Sequence, residues 1–328
     1  MSTTSQIKKI GVFTSGGDAP GMNAAIRAVV RTAISSGVEV TGILQGYVGM
    51  IENKMTALQM RDMANIIQRG GTILKTGRSA EFLKPEYRKK AADNLKSHSI
   101  DGLICIGGDG SFRGAQALWA EYQIPIIGIA GTIDNDVYGC DDTIGFDTAV
   151  NTALSAIDKI RDTADSHDRI FIVEVMGRDS GYIASAVGVA GGAEEILTPE
   201  NIIPVDKIVE KLKESRARGK TSSILITAEG QKPGRAYDLA DSIRKKSGLD
   251  AKVCILGHQQ RGGSPTANDR ILASRLGHAA VLALLAGKKN LMIGSQGKIL
   301  TEISLAEATT KSKTADKTLI HLARALSV

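Results

Sequence analysis

The sequence predicts an α/β protein of two doubly wound domains with largely parallel sheets, its site lying in the cleft between them. Three observations lead there. Short apolar runs of strand length alternate with segments of helical period. Several of those runs empty into glycine-rich loops, where open α/β sheets hold ligands. The chain has 328 residues, whereas a single core stops growing near about 250–300.

Composition narrows the ligand class. Lys and Arg number 41 against 35 Asp and Glu, with no basic block and Trp119 as the only tryptophan. This speaks against nucleic acid and for phosphorylated small metabolites. Cys105, Cys140 and Cys254 are odd in number and lack CxxC spacing, as expected of reduced cytosolic thiols. Met1 to Lys9 lacks the apolar core of a leader and no later run suits a bilayer span, so the expected setting is cytoplasmic, without a membrane partner.

Taken in order, Ile10–Thr14 suits a buried strand that delivers Ser15-Gly16-Gly17-Asp18-Ala19-Pro20-Gly21, and a helix fits Met22–Ser36. Arg27 and Arg31 share one face of that helix; a solvated face is the plainer explanation and an anion site the alternative. Val38–Ile43 is the next strand, followed by an irregular stretch around Gly46 and Gly49 and a short helix over Asp62–Gln68. Gly77-Arg78-Ser79 then offers an arginine on a flexible loop, able to grip phosphate bidentately. Pro85–Ser97 is a polar helix.

Ile100–Gly108 leads to Gly107-Gly108-Asp109-Gly110-Ser111 and a helix from about Phe112 to Tyr122 with Trp119 in the core. Glycines admit a ligand close to the backbone, and the helix N-terminus suits phosphate. Asp109 adds a carboxylate of the kind Mg²⁺ prefers. On these residues alone a capped glycine turn remains equally open. Ile124–Ala130 is a strand ending in Gly131-Thr132-Ile133-Asp134-Asn135-Asp136, whose two carboxylates suit metal-assisted phosphoryl chemistry or merely an Asx turn.

A long helix over Phe146–Ala164 bridges to the second half. There the strands Arg169–Val175, Ser222–Thr227 and Lys252–Leu256 present Met176-Gly177-Arg178, Glu229 and Gly257-His258-Gln259-Gln260-Arg261-Gly262-Gly263. Between them lie a short apolar stretch at Glu194–Leu197 and helices over Val205–Arg218 and Ala236–Lys246. His258 alone reads as structural; with Arg261 three residues on it reads as half of an anion clamp.

Together the loops at Gly16–Asn23, Gly107–Ser111, Gly131–Asp136, Met176–Arg178 and Gly257–Gly263 closely resemble the bacterial ATP-dependent 6-phosphofructokinases, over about Lys9 to Gly287. The resemblance implies a glycolytic, two-domain homotetramer that transfers the ATP γ-phosphoryl group to fructose 6-phosphate with Mg²⁺. It divides the chain into an ATP-binding domain, 1–145 plus 262–310, and a fructose 6-phosphate-binding domain, 146–261 plus 311–328. By motif, Gly17, Arg78, Ser79 and the Gly108, Asp109, Gly110, Ser111 loop would hold ATP, with Asp109 on the metal. Asp134 would be the base, with Thr132, Gly17 and Arg178 also catalytic, and Ile133 and Asp136 beside the substrate. Met176, Gly177, Arg178 and Glu229 would grip the sugar, and His258 and Arg261 its 6-phosphate. Arg169 and Lys252 would come from a neighbouring subunit, giving active sites shared between subunits. An effector site for ADP or phosphoenolpyruvate would use Arg27, Arg31, Arg161, Glu194 and Lys220.

Members that use pyrophosphate resemble GGDD and KTIDND at these loops; Gly110 and Gly131 here favour ATP. Lys252 stands where arginine is usual, Ser79 where an aromatic is common, Ala130 where proline precedes the loop, and Thr221, Ser222 and Met60 where the effector site is more basic. The resemblance therefore implies weaker sugar phosphate binding and an altered effector response. A pyrophosphate-dependent enzyme, a nucleotide-binding regulator without catalysis and a lipid or dinucleotide kinase are the competing readings. The last leaves His258, Arg261 and the Met176–Arg178 loop unexplained.

Overall fold

The structure, a computed structural model, describes residues 7–313 and 317–326. Residues 1–6, most of the stretch read for a leader, lie outside them, as do 314–316, 327 and 328 in the expected second domain. The chain falls into two compact units. The described residues within Met1–Thr132, Val137–Asp147 and Arg261–Lys313 form the first, and those within Ile133–Asp136, Thr148–Gln260 and Thr314–Val328 the second. Ile133–Asp136 thus groups with the second unit, although the sequence boundaries put it in the first. The Ser180 hydroxyl donates to the Asp134 carbonyl at 2.8 Å and ties the segment there.

The first unit begins with β1 (Lys9–Thr14), α1 (Met22–Ser35), β2 (Glu39–Ile43), α2 (Tyr47–Glu52), β3 (Met55–Leu58), α3 (Pro85–Ser97), β4 (Gly102–Gly107), α4 (Asp109–Tyr122) and β5 (Ile126–Ala130). The chain passes through α5 (Phe146–Ser166) to β6 (Ile170–Val175), α6 (Tyr182–Ala190), β7 (Glu195–Leu197), α7 (Val205–Ala217), β8 (Ser223–Ala228), α8 (Arg235–Ser247) and β9 (Ala251–Ile255) of the second. It returns to the first for α9 (Ala267–Leu285), β10 (Leu291–Gln296), β11 (Ile299–Ser304) and α10 (Leu305–Thr310); α11 (Lys317–Leu326) belongs to the second.

Seven strands make the first sheet, in the order β11-β10-β5-β4-β1-β2-β3. The five inner strands are parallel, and β4 and β5 are buried along their whole length, which is why they read as unbroken apolar runs. Both edges are antiparallel, β3 on β2 and β11 on β10. At the second edge only Gly297 and Lys298 join the strands, and Gly297 has φ +56°, as a two-residue hairpin requires. On one face α1 and α9 pack so closely that a Cβ on Gly277 would stand 2.8 Å from the Ala25 carbonyl oxygen. On the other, Phe13, Leu103, Phe112 and Leu118 bury Tyr47, whose ring stacks on Phe82 at 4.0 Å between centroids. The second sheet is parallel throughout, in the order β7-β8-β6-β9. Its Ile170, Ile172 and Leu225 pack with Ile208 and Leu212 of α7 and with Ala236 and Ile243 of α8.

Some expectations need correction. The stretch after Gly46 is ordered as α2 and β3, because Tyr47, Met50 and Ile51 bury one helical face. The helix expected over Asp62–Gln68 is a single 3₁₀ turn at Met60–Met63, with Asn65 at φ +55° breaking the helical path. α4 starts at Asp109 rather than Phe112, so the glycine loop is partly helix. Trp119 is half-buried, with the Lys289 ammonium 5.0 Å from its ring, rather than a core residue. α6, unforeseen among small residues, needs them, since a Cβ on Gly188 would meet Ile196 at 2.4 Å.

Candidate active site

In the first sheet the chain goes from β1 to β2 on one side and later to β4 on the other. The crevice beyond the carboxyl ends of β1 and β4 is therefore a topological switch point, where sheets of this kind hold ligands. Three of the loops singled out in the sequence leave that edge: Ser15–Asp18 after β1, Gly108 after β4 and Gly131–Thr132 after β5. They are stitched together by the Ser15 amide donating to the Ile106 carbonyl at 3.0 Å and the Gly131 amide to the Gly107 carbonyl at 2.9 Å. Gly107 must be glycine, because a Cβ would stand 2.5 Å from the Ser111 Oγ and 2.6 Å from the Ser15 carbonyl oxygen.

Asp109 is the first residue of α4, after the extended residue Gly108. That helix end has no side-chain cap, which leaves first-turn amides for an anion. The Asp109 carboxylate pairs with Arg113 one turn on, Oδ2 to Nη2 at 2.8 Å and Oδ1 to Nε at 3.3 Å. The Ser111 Oγ is buried and without a hydrogen-bond partner. Among the described residues no three carboxylate, imidazole or thiol groups gather as a metal cage. Mg²⁺ does not need one, since it binds through one or two carboxylates and substrate phosphates while keeping water. Asp109 beside an uncapped helix end, with an unpartnered hydroxyl two residues on, fits such an ion.

Beneath the loops, Tyr47 donates from its phenol to the Ser111 carbonyl at 2.5 Å. Burial pushes the Cys105 thiol up to about 12 and raises the Tyr47 phenol well above its ordinary value. Both groups stay protonated and serve as packing. The Arg78 loop is anchored by Thr76, whose hydroxyl donates to the Gly16 carbonyl at 2.8 Å, while Arg78 itself is exposed. Ser79 Oγ accepts from the Phe82 amide at 3.2 Å, within the 3₁₀ turn Glu81–Leu83. Asn23, quoted only as part of a motif, holds the Arg69–Ile73 stretch by donating to the carbonyls of Arg69 and Gly70 and accepting from the Ile73 amide. Thr132 lies beside Gly108, and its carbonyl accepts from the Thr143 hydroxyl at 2.6 Å.

Arg261 belongs to the first unit, where its Nη1 donates to the Asp18 carbonyl at 3.2 Å and fills the space a Cβ on Gly17 would take. His258 lies with it in the 3₁₀ turn Gly257–Arg261 but falls in the second unit and is exposed.

In the second unit β6 lies between β8 and β9, so Met176–Arg178, Glu229 and His258 follow the carboxyl ends of three neighbouring parallel strands. The Met176 amide donates to Gln260 Oε1 at 2.8 Å, and the fully buried Gln260 donates in turn to the Ala149 carbonyl at 3.3 Å. Gly177 has φ +140° and Arg178 φ +50°, a bend that raises the exposed Arg178 side chain and is closed by the Ser180 amide on the Gly177 carbonyl at 2.8 Å. Ser180 also holds Asp134, which is 5% exposed, whereas Asp136 is exposed. Gln260, quoted only as part of a motif, and Ser180, outside the motifs, thus shape these loops without a role assigned to them in the sequence.

Arg169 and Lys252 sit elsewhere. Arg169 precedes β6 and Lys252 is the second residue of β9, both at the amino edge of that sheet. Six residues of β6 separate that edge from Met176, about 20 Å at about 3.3 Å per residue. Lys252 is exposed and paired with Asp250 at 2.7 Å, which lowers the Asp250 pKa. The same edge carries Glu194 before β7 and Lys220 before β8, joined at 2.6 Å, with Glu194 buried and accepting from the Ile224 amide. Arg161 of α5 donates there to the carbonyls of Gly191 and Gly192. Arg27 and Arg31 are on α1 of the first unit.

A sequence model described as Phosphofructokinase matches residues 9–284. The chain is 57% identical over 322 residues to "ATP-dependent 6-phosphofructokinase 1" of Thermus thermophilus, covering 98% of this chain and 100% of that one. It is 52% identical to "ATP-dependent 6-phosphofructokinase" of Cytophaga hutchinsonii, covering 98% of each. Among solved structures it matches phosphofructokinase from Saccharomyces cerevisiae with TM-score 0.85 and 39% identity, over 92% of this chain and 45% of the yeast chain. Pyrophosphate-dependent phosphofructokinase from Marinobacter aquaeolei matches with TM-score 0.83 and 26% identity, over 95% and 86%. No helix among the described residues is long and apolar enough to cross a membrane.

Proposed function

The chain belongs to the phosphofructokinase family, and from that premise we propose that it transfers the γ-phosphoryl group of ATP to the 1-hydroxyl of fructose 6-phosphate. The products are fructose 1,6-bisphosphate and ADP. Relatives named as ATP-dependent support the donor. The observation that carries it is Gly110, in the first turn of α4: a Cβ there would meet nothing within 4 Å. A side chain at this position would project into room that a nucleotide's inner phosphates need, and glycine leaves it open. Gly131 is closed by contrast, its Cβ position 3.0 Å from Ile106 and 3.3 Å from Met22, so a larger residue would have to displace the loop.

The uncapped α4 end and the glycine loops receive the phosphates through backbone N–H groups. Asp109 and Ser111 would hold Mg²⁺, which would supply neutralisation of the charge on the phosphate oxygens. Arg78 reaches the phosphates from its exposed loop. On the acceptor side Met176, Gly177, Arg178 and Glu229 orient the sugar, and His258 and Arg261 take its 6-phosphate, for which Arg261 exchanges its bond to the Asp18 carbonyl. Asp134 accepts the proton of the 1-hydroxyl as that oxygen bonds to the γ-phosphorus and ADP leaves. Thr132, Gly17 and Arg178 stabilise the transferring group, and Asp136 orients its neighbours. This is catalysis by positioning and charge stabilisation.

Arg169 and Lys252, at the opposite edge of their own sheet, serve the 6-phosphate of a neighbouring subunit, so the working form is a homo-oligomer, expected to be a tetramer. The Arg161, Glu194 and Lys220 cluster, with Arg27 and Arg31, takes ADP or phosphoenolpyruvate as effector.

The test is product formation by purified protein with Mg²⁺-ATP and Mg²⁺-pyrophosphate in parallel. Product with ATP, reduced about 10²–10⁴-fold in Asp134→Ala, is the expected outcome. Product from pyrophosphate alone overturns the donor assignment. Activity with neither overturns the enzyme reading.

A further inference from the structure

Arg113 has no part in the roles set out above, yet it makes both contacts that tie down the Asp109 carboxylate, through Nη2 at 2.8 Å and Nε at 3.3 Å. We propose that Arg113 is a positioning residue that occupies Asp109 in the absence of metal and yields it when a metal nucleotide arrives, so that it sets how strongly nucleotide binding depends on the divalent cation. This rests on the reading of the α4 end as the ATP site.

The charges give the reason. Asp109 is the first residue of an uncapped helix whose free amides suit an anion. A bare carboxylate there repels the phosphates of metal-free ATP. Paired with Arg113, it is locally neutral, and the helix end remains attractive to anions. A divalent cation brought with ATP needs that carboxylate, and the pair can open because neither partner is sequestered: the side chains of Arg113 and Asp109 are 65% and 39% exposed. Arg113 lies one turn into α4, on the same face as Asp109. The guanidinium and the cation thus compete for one carboxylate, and the competition appears as coupling between cation and nucleotide, which is reciprocal.

The experiment is equilibrium binding of a non-hydrolysable ATP analogue to the full chain by calorimetry, without divalent cation and with saturating Mg²⁺. It is run on wild type, Arg113→Ala, Arg113→Lys and the same Arg113 changes in an Asp109→Asn background. In Arg113→Ala, metal-free analogue is expected to bind about fivefold more weakly while the Mg²⁺ complex binds within about twofold of wild type, a scale set by an exposed ion pair acting through coupled sites. Arg113→Lys restores most of the difference, and Asp109→Asn abolishes it. A ratio of the two affinities that Arg113→Ala leaves unchanged, or a change that persists in Asp109→Asn, overturns the proposal while leaving the ATP reading intact. Wild type that binds the analogue in neither condition overturns the ATP reading and this inference with it. Arg113 is exposed on a helix surface, so the substitutions test binding rather than folding.

Discussion

Lys252 offers a phosphate a point charge where a guanidinium would offer two parallel hydrogen bonds, and it must first leave Asp250, 2.7 Å away. Lys252→Arg is expected to lower the KM for fructose 6-phosphate about threefold with little change in kcat; initial-rate kinetics check it, and an unchanged or raised KM counts against the role. Gln260→Leu should do the reverse. It removes the acceptor that fixes the Met176 amide, so the KM for fructose 6-phosphate rises about tenfold while that for ATP stays near wild type. A matching rise in both would mean a general loss of structure. These two residues show what sequence makes legible. Lys252 lies in none of the quoted loops and is legible only through the family resemblance, which gives its position a substrate-facing role. Gln260, Ser180, Thr76 and Asn23 act on backbone groups of loops distant in sequence, 84, 46, 60 and 50 residues away. Nothing in their local spacing announces such a partner. Arg113 is the intermediate case, since its i, i+4 relation to Asp109 follows once the helix is known to begin at Asp109.

Elements follow the same division. The buried parallel strands and the helix over Pro85–Ser97 are legible because apolar runs and a proline at the first helical position are local signals. α2 is hidden by its glycines. A Cβ on Gly49 would meet the Leu44 carbonyl oxygen, so that glycine serves close packing inside a helix rather than ending one. α3 and α4 are also joined by something the sequence does not reveal. Arg88 grips Glu121 with Nε at 2.8 and 3.0 Å and donates from Nη1 to the carbonyls of Phe82 and Leu83, fastening two helices and the 3₁₀ turn that follows Arg78. The hydrogen bonds from Arg88 hold the Glu121 carboxyl below its ordinary value of 4.5. A carboxylate depressed in the folded state stabilises fully above its unfolded value and loses that contribution as pH falls through the folded one. Glu121→Gln should therefore lower the thermal midpoint near neutral pH by about 2 °C, from about 0.5–1 kcal/mol for a well-formed but solvent-screened pair. The difference from wild type should shrink steadily below the ordinary glutamate value. A difference that stays constant across that range would assign the effect to packing.

At the scale of the whole molecule, the two edges of the second sheet bear separate sets of residues with one predicted ligand. Met176, Arg178 and Glu229 follow carboxyl ends of strands, and Arg169 and Lys252 stand at amino ends. Side chains of a few ångströms cannot close a separation of about 20 Å along parallel strands, so one copy of the sheet cannot assemble both sets around one sugar phosphate. A second copy can, and closed symmetry makes the exchange mutual. The sequence already puts Arg169 and Lys252 at strand starts and Met176, Arg178 and Glu229 after strand ends; the built sheet adds that these strands are parallel neighbours in register, which turns that order into distance. Mixing two defective chains tests the arrangement. On the proposed roles, Asp134→Ala subunits would lack the base, and subunits carrying Arg169→Ala with Lys252→Ala would lack the contribution to a neighbour's site. Unfolded, mixed in equal amounts and refolded together, random assembly leaves about a quarter of shared sites with every residue intact. Recovered activity near that fraction of wild type at limiting fructose 6-phosphate is the expected result. If each site is built from one chain, no mixed oligomer contains an intact site, and activity stays at the sum of the two variants measured alone.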